Sequence, residues 1–436
     1  MFVVKVERVI FYLLLLLLPT QLGKHFWPDF AIVAGIRVDY LSPTLYVTDI
    51  VIGLLFVCWL INRLQSANST MQNHSAKLKV FNFAFLIIGA IFLSVNLFHS
   101  ENVLNGAYHL LKLLEFSFVA YYVATTVRTL GQLKRIVFVL GIGVIGQSCL
   151  AIAQFIKQGS LGGIFYWLGE RLFTGSTPGI ANVSLNGELI LRPYATFSHP
   201  NILAGFLLIV MTALLFTMPL VKRVEKAVWF VALLFGSSAL LLTMSRVAFL
   251  LWTGLLVVVF LRHVQRLLVR FLIAGALLIL FVSFLVATPL GSRFLQTSFT
   301  EEALVQRGDL MRASGELFLQ QPIIGIGFGN FLPELATIAT PLPLHAYLQP
   351  VHNIFLLILS ETGIVGIGVF VWFLTQTYKR LFSLIRKKQA LFPRLFVVLL
   401  SMILILGSFD HYFLTLQQGQ LLFALIIGLS WISIKR

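Results

Sequence analysis

The stretch 222–262, KRVEKAVWFVALLFGSSALLLTMSRVAFLLWTGLLVVVFLR, decides how the chain is organised. Its apolar part is about 34 residues long, which is too long for one transmembrane helix and just enough for two short ones. Lys222 stands before it and Arg262 after it. Because Lys and Arg collect on the cytoplasmic side, both ends are expected inside, and the chain must cross the membrane twice. Ser245 and Arg246 then mark the outer tip.

The whole chain has the composition of an integral membrane protein. Of its 436 residues, 58% are hydrophobic and only 11% are charged, less than half the charged share of ordinary soluble domains. This excludes soluble, disordered and collagen-like classes. The net charge of +16 does not indicate nucleic acid, because membrane proteins collect Lys and Arg at their cytoplasmic ends. Cys58 and Cys149 lie inside apolar runs and offer neither a disulfide framework nor a cysteine metal site.

Apolar runs of spanning length predict about twelve transmembrane helices. The chain is therefore expected to be an all-α, polytopic transmembrane bundle with cytoplasmic N- and C-termini. Its basic cytoplasmic loops are too short for a nucleotide-binding domain. The first run is kept as a span, because residues 19–24 lack the small-residue pattern of a cleavage site. Besides the two halves of 228–261, the runs are 9–22, 45–62, 80–98, 107–127, 136–156, 201–220, 271–288, 351–378, 395–414 and 418–434.

This topology divides the chain into parts and places two large loops on the outer side, where any chemistry is expected. The second loop contains an amphipathic helix, so an outward-facing loop domain is expected. The parts are spans one to five (1–156), a first loop (157–200), spans six to nine with the Ser245-Arg246 tip (201–288), a second loop (289–350) and the last three spans (351–436).

Two arginines in the later half are candidates for binding an anion. Arg246, at the tip between two short spans, either snorkels to the interface or lies in a cavity below the lipid surface. Arg307 shares a helical stripe with Leu304, Met311 and Phe318. It is therefore either a packing residue or a guanidinium aimed inward at an anionic ligand.

The stretch 192–201, RPYATFSHPN, leads from the first loop into span six. Arg192 adds a third outer cation. Ser198 or His199 is expected to cap the helix, with Pro200 in its first turn. Asp410-His411-Tyr412, at the outer end of span eleven, forms a further polar cluster, which is also compatible with a simple interface anchor.

His352 is the candidate base, in the stretch 348–356, LQPVHNIFL. Pro350 suits a first helical turn and would place His352 at the mouth of span ten. A helix N-terminus favours the neutral imidazole, although a lone histidine is also common as a structural residue. Glu361 is expected about 13 Å further along an unbroken helix, on its opposite face. Its carboxylate is either functional or a hydrogen-bonded structural group.

Other patterns carry less weight. Gly325-Ile326-Gly327-Phe328-Gly329 predicts a tight turn, because no βαβ unit follows that would make it a dinucleotide loop. The chain has no histidine or cysteine spacing typical of a metal site, and no metal or cofactor is expected.

Together these residues resemble the O-antigen ligase and O-antigen polymerase superfamily of bacterial membrane glycosyltransferases. The similarity runs from about residue 190 to 420, and the order of the motifs along the chain is its strongest feature. The matching residues are R-P-x-x-T-F-x-H-P-N at 192–201, Ser245-Arg246, Arg307 followed by P-I-I-G-I-G at 322–327, and His352-Asn353-x-x-Leu356 with Glu361-x-Gly363-x-x-Gly366.

The resemblance implies a GT-C-like fold in the bacterial cytoplasmic (inner) membrane. It also implies a metal-independent, inverting transfer of a glycan from an undecaprenyl diphosphate carrier to a hydroxyl of a lipid, glycan or protein acceptor on the outer face. His352 would act as the catalytic residue. Arg246, Arg307 and Arg192 would bind the lipid diphosphate. The supporting residues are Asn353, Glu361, Tyr194, His199, Asn201 and Asp410.

Two alternatives stay open at this stage. A polysaccharide polymerase would use the same donor but join lipid-linked repeat units. A lipid-linked glycan transporter or flippase also suits many spans with intramembrane charges, although the paired broken helices of inverted repeats are not evident in the sequence.

Overall fold

The computed structural model describes residues 2–67, 92–185, 187–263, 269, 302–338, 347–387 and 391–433. Within these ranges the chain is mostly helical. Five of the described helices are long and apolar enough to cross a membrane, so the predicted class of helical membrane protein is confirmed. The predicted spans 80–98 and 271–288 lie mostly or wholly outside the described residues, and the number of about twelve spans stays a prediction.

The described helices are numbered in chain order. They are α1 (Phe2–Leu17), α2 (Val47–Ala67), α3 (Val103–Thr126), α4 (Leu130–Lys157), α5 (Ile164–Trp167), α6 (Pro200–Thr217), α7 (Arg223–Leu242), α8 (Arg246–His263), α9 (Glu302–Gln320), α10 (Phe331–Leu335), α11 (Ile354–Arg386), α12 (Leu391–Gly407), α13 (Tyr412–Thr415) and α14 (Gln417–Ser430).

Helix α6 lies at the centre of the bundle. In an apolar 18-residue part of Pro200–Leu220, 78% of the residues are buried, against 44% or fewer in the corresponding parts of the other four candidate spans. A helix that is hydrophobic on all sides is expected to be surrounded by protein. It packs against α4, α7, α8, α12 and α14. The motif at 192–201, which leads into α6, is therefore held at the middle of the molecule.

Short pairs of antiparallel strands cover one end of this bundle. They pair β1 (Gly23–His25) with β4 (Thr44–Tyr46), β2 (Ile32–Val33) with β3 (Ile36–Arg37), and β5 (Asn182–Leu185) with β6 (Glu188–Leu191). The sequence analysis predicted none of these strands. We call this end the loop side. It carries segment 23–46, the first loop and the described part of the second loop.

The loop side has an apolar core of its own, separate from that of the spans. Segment 23–46 packs onto helix α9 and onto the residues just before α11. The residues of this core that are fully shielded from solvent include Ala31, Val38, Leu41, Leu310, Ala313, Leu317, Tyr347 and Val351. The first 46 residues are thereby joined to the last third of the chain.

Helix α9 is the predicted amphipathic helix, but its buried stripe is not the predicted one. Leu310, Ala313 and Leu317 face the core, whereas Met311 is 50% exposed. The prediction that Met311 belongs to the packing face is wrong, because the core lies about one residue around the helix from the predicted stripe. Arg307 stands one turn before Leu310 and remains on the buried side of α9.

Candidate functional site

Two amides of α4 hold the backbone of the motif at 192–201. Gln154 Oε1 accepts hydrogen bonds from the backbone N–H groups of Tyr194 (2.9 Å) and Ala195 (2.7 Å). Gln147 Oε1 accepts from Thr196 N–H at 3.1 Å. The two glutamines are seven residues apart and so share one face of the helix. This support explains how Ala195 keeps a left-handed φ of 50°.

The start of α6 confirms the predicted cap. His199 is the N-cap residue and Pro200 is the first helical residue. The Nδ1 atom of His199 accepts from Asn201 N–H at 3.1 Å, which leaves its proton on Nε2. The Tyr194 ring lies 6.1 Å from the His199 ring in an edge-to-face arrangement, and the Tyr194 hydroxyl accepts from Ala181 N–H.

A chain of hydrogen bonds links the first loop to the end of α12. Arg192 donates through Nη2 to Asn201 Oδ1 at 2.7 Å and through Nε to the carbonyl of Thr243 at 2.7 Å. Asn201 in turn donates through Nδ2 to Asp410 Oδ2 at 2.8 Å. Arg192, Asn201 and Asp410, all singled out from the sequence, therefore lie together.

Asp410 is next to two histidines. Its Oδ1 atom accepts from His411 N–H at 2.8 Å. The ring of His411 lies 5.1 Å from that of His352, edge to face. One nitrogen of each histidine and one oxygen of Asp410 all lie within 4.8 Å of one another. We call His352, Asp410 and His411 the histidine cluster.

His352 stands just before α11 rather than in its first turn. Asn353 is the N-cap, and its Oδ1 accepts from the N–H groups of Phe355 and Leu356. The prediction that Pro350 occupies the first turn is wrong, because the stronger cap three residues later begins the helix at Ile354. The Nδ1 atom of His352 is shielded from solvent and has no hydrogen-bond partner among the described residues.

The charges of the cluster are set by burial and by each other. Burial lowers the pKa of His352, with Asp410 opposing the shift and Arg307 adding to it. Burial also lowers the pKa of His411 to about 3. Burial by itself raises the pKa of Asp410. The neighbouring His411, His352 and His199 outweigh this effect and lower the pKa to about 2. At neutral pH the cluster thus holds neutral imidazoles beside a carboxylate.

The other two predicted arginines, Arg246 and Arg307, lie on α8 and α9. Arg307, on α9, is close enough to His352 and His411 to act on both electrostatically. Arg246 is the first residue of α8, three residues after Thr243, whose carbonyl binds Arg192. The turn between α7 and α8 is the predicted Ser245-Arg246 tip.

Glu361 has a structural role in a break of α11. The predicted unbroken helix is wrong, since Gly363 is non-helical with φ 62° and ψ −166°. Glu361 is buried, and its Oε1 accepts from Phe331 N–H at 3.3 Å. The backbone groups freed by the break bond to the turn at 322–327, including Ile326 N–H to Ser360 O at 3.0 Å and Ile364 N–H to Pro322 O at 2.9 Å.

The two glycine motifs are the two sides of this contact. A Cβ atom on Gly325 would lie 2.3 Å from the backbone of Glu361, and one on Gly363 would lie 2.3 Å from the carbonyl of Ile323. Both glycines have positive φ. The tight turn predicted at 325–329 is confirmed and packs against the break in α11, whereas a functional role for Glu361 stays a prediction.

The sequence analysis missed residues from the first half of the chain. The ring of Tyr40 lies 5.3 Å from that of His411, edge to face. Burial, then Asp410, raises the pKa of Tyr40, while Arg171 acts in the opposite direction. Neither Tyr40 nor Arg171 belongs to a recognisable motif, so only the packing of segment 23–46 and of the first loop reveals them.

The arrangement supports two kinds of chemistry. Two imidazoles and a carboxylate are a donor set that a divalent cation accepts. A neutral imidazole beside a carboxylate is also suited to act as a general base, and here the oxygens of Asp410 accept hydrogen bonds from Asn201 Nδ2 and from the backbone N–H of His411. Arg192 and Arg307 add two positive charges beside the one carboxylate, so the site as a whole is suited to an anionic ligand.

Fold and site define a polytopic helical membrane protein with an ionisable, cationic site at its loop side. Residues 229–371 match the family model described as O-antigen ligase. The matched segment covers about a third of the chain and includes Arg246, Arg307 and His352. Over this segment the predicted resemblance to the O-antigen ligase-like superfamily is confirmed. A comparison with curated proteins finds no relative.

Proposed function

We propose that the protein transfers a glycan from an undecaprenyl diphosphate carrier to an acceptor hydroxyl on the outer face of the bacterial cytoplasmic membrane, with inversion at the anomeric carbon. The observation that carries this proposal is His352 Nδ1. It is a shielded nitrogen without a partner among the described residues, next to a carboxylate and two arginines, inside the segment that matches the O-antigen ligase family.

His352 takes the proton of the acceptor hydroxyl in this mechanism. Its lowered pKa keeps the imidazole neutral at physiological pH, which a general base requires. Asp410 stabilises the imidazolium that forms, as the nearest carboxylate. The hydroxyl oxygen attacks the anomeric carbon as the diphosphate leaves from the opposite face. One displacement of this kind inverts the configuration.

The arginines bind the leaving diphosphate. Arg192 is linked to Asp410 through Asn201, and Arg307 acts electrostatically on His352 and His411. Arg246 begins α8 three residues after Thr243, whose carbonyl accepts from Arg192. A diphosphate carries concentrated negative charge, and guanidinium groups bind phosphate oxygens through parallel hydrogen bonds without losing a proton. Replacing Arg307 or Arg246 by Ala is expected to weaken donor binding by roughly 1.5 to 3 kcal/mol each.

The test uses purified protein with a lipid diphosphate glycan and candidate acceptors. His352→Ala is expected to lower the transfer rate by at least about 100-fold while donor binding is retained. His99→Ala, at an exposed histidine, serves as the matched control and should transfer normally. Normal turnover of His352→Ala would remove the base from the mechanism. Substrate movement across proteoliposomes without covalent transfer would instead support a transporter.

Metal independence is tested on the same preparation. The histidine cluster could coordinate a cation, but the proposed mechanism needs none, because the arginines supply the positive charge. Treatment with EDTA followed by desalting is therefore expected to leave the transfer rate unchanged. A rate that falls and is restored by a divalent cation would assign the histidine cluster to metal binding.

The acceptor decides between a ligase and a polymerase. The matched family model is described as O-antigen ligase, and we therefore propose that a finished glycan is moved to a non-carrier acceptor. Deleting the gene should then leave long lipid-linked chains that accumulate unattached. Loss of the long chains themselves would indicate a polymerase.

A further inference from the structure

Two contacts, one on each side of Arg171 in the sequence, hold the first loop against the site. On one side, the carboxylate of Glu170 accepts from Gln154 Nε2 at 2.7 Å, and the same Gln154 side chain holds the backbone of Tyr194 and Ala195. On the other side, the ring of Phe173 lies 5.0 Å from that of Tyr194. Residues 170 and 173 are thus both fixed to the motif at 192–201.

Arg171 lies exposed between these anchors. It is close enough to the hydroxyl groups of Tyr40 and Tyr194 to act on both electrostatically. The Tyr40 ring in turn contacts His411. No salt bridge neutralises Arg171 within the part of the chain that the structure describes. Its charge is therefore available at the edge of the proposed donor site.

The residues around Arg171 form an exposed apolar surface. Four large side chains are more than half exposed, which is costly in water and typical of a surface that meets lipid. They are Ile164 (70%), Trp167 (71%), Leu168 (53%) and Leu172 (63%). We call them the apolar ridge.

The apolar ridge lies level with the end of a predicted span. Thr20, three residues after α1 ends at Leu17, donates through Oγ1 to the carbonyl of Leu168 at 2.8 Å. Tyr and Trp are enriched at the level where helices leave the bilayer, and the ridge is built around Trp167. The exposed guanidinium of Arg171 lies one to seven residues along the chain from the members of this exposed apolar surface.

We propose that Arg171 and the apolar ridge form the entrance subsite for the polyprenyl diphosphate donor. The prenyl chain lies along Trp167, Leu168 and Leu172, and Arg171 binds the diphosphate before and during its contact with Arg192 and Arg307. The donor lipid has a long apolar chain and an anionic head group. The apolar ridge matches the chain, and the adjacent Arg171 matches the head group. The inference rests on the proposed function and adds the lipid part of the donor to it.

The test measures binding of two probes to full-length protein in nanodiscs: undecaprenyl diphosphate without sugar, and inorganic pyrophosphate. Arg171→Gln is expected to weaken both by about 5- to 10-fold, the loss of one charged hydrogen-bond donor. The matched control is Arg312→Gln, at a half-exposed arginine that is ion-paired with Glu316, and its affinities should stay within about 2-fold.

The double variant Trp167→Ser/Leu172→Ser separates the lipid part from the charge. It should weaken undecaprenyl diphosphate by about 10-fold or more and leave inorganic pyrophosphate unchanged, because only the former buries apolar surface on the ridge. If undecaprenyl diphosphate binds this variant normally while the protein is lost more readily from phospholipid vesicles, the ridge is a bulk membrane anchor and the inference is overturned.

Arg307→Gln, measured alongside, distinguishes a failure of the entrance subsite from a failure of the proposed donor site. If Arg171→Gln binds both probes normally but Arg307→Gln does not, the donor site stands and the entrance subsite is wrong. If both variants bind normally, the proposed donor site itself fails.

Discussion

At the scale of single residues, the pairing of His352 with Asp410 determines how the proposed base responds to pH. The burial that lowers the His352 pKa also keeps its Nδ1 atom away from bulk water. Asp410 opposes that shift, and Arg307 reinforces it. The base is therefore neutral at pH 7 and is lost only as pH falls below the ordinary histidine value of about 6.5.

Asp410→Asn is expected to move the acidic limb of the pH–rate profile to lower pH. The carboxylate raises the His352 pKa, so its removal lowers that pKa further and keeps the imidazole neutral to more acidic conditions. The transfer rate measured between about pH 4 and 8 tests this. Asp29→Asn, at an exposed residue of the same side, should leave the limb in place. A shift to higher pH would contradict the assignment of the base.

Most of the site residues could be predicted from their residue types and motifs, but their contacts could not. His352, Arg192, Asn201 and Asp410 were singled out, and the structure brings them together. Asn201 links Arg192 to Asp410, which lies 209 residues further along the chain than Asn201, and no spacing rule predicts that contact. Tyr40 had no signal at all, because it reaches His411 only through the packing of segment 23–46.

At the scale of elements, the break in α11 is one feature for which the prediction from the sequence is wrong. Apolar periodicity predicted a continuous helix, and the hydrogen bonds that replace the helical ones come from residues 322–327, which are not adjacent in sequence. A glycine in a helical pattern is not sufficient to predict a kink. Backbone that is not helical at membrane depth is stable only where protein satisfies it, as the turn at 322–327 does here.

Gly363→Ala is expected to destabilise the protein by at least about 2 kcal/mol, because φ 62° with ψ −166° is accessible essentially to glycine only. The new Cβ would also meet the carbonyl of Ile323 at 2.3 Å. Thermal unfolding of the purified protein in one detergent measures the effect. Gly368→Ala, on the same helix with open space around it, should be neutral or stabilising by about 0.5 to 1 kcal/mol. Equal stabilities of the two variants would contradict the assigned break.

A buried ion pair joins three helices of the bundle on the side of the first spans. Lys112 on α3 binds Asp49 of α2 at 2.5 Å, Glu115 at 3.3 Å and Gln417 of α14 at 3.2 Å. Gln417 also donates to Asp49. Charges placed here are costly unless they are paired, so the cluster favours one arrangement of α2, α3 and α14 over others.

Lys112→Met is expected to cost about 3 to 5 kcal/mol, because it leaves the carboxylates of Asp49 and Glu115 buried without their cation. The midpoint of thermal unfolding in detergent measures the loss. Lys157→Met, at an exposed lysine, should have little effect. The triple variant Lys112→Met/Asp49→Asn/Glu115→Gln should recover most of the stability. No loss in Lys112→Met would mean that the pair does not hold the helices together.

At the scale of the whole molecule, the class could be predicted from composition, whereas the orientation expected from the charges stays a prediction. Apolar runs are sufficient to predict a helical membrane protein, because a chain in lipid must satisfy its backbone groups internally. For the loop side, the sequence predicts the two loops but not their strands, since these strands are two to four residues long and have no periodic pattern. The position of segment 23–46 over α9 depends on contacts between distant parts of the chain.

The orientation is testable by labelling single cysteines in a Cys58→Ser/Cys149→Ser background. Ser176→Cys, exposed in the first loop, is expected to react with a membrane-impermeant maleimide in spheroplasts. Lys226→Cys, exposed at the start of α7, should react only after permeabilisation, because the basic end of that helix is predicted to stay inside. The reverse pattern would place the proposed site in the cytosol.

The packing of segment 23–46 against Tyr347, Val351 and His411 also has a consequence for biosynthesis. The residues that complete the proposed site are among the first 46 and beyond residue 400, so a nascent chain that has inserted only its early helices holds no assembled site. Activity then begins only once translation has passed His411 and the two ends have met. Partly synthesised chains would therefore not turn over the proposed donor before the protein is complete.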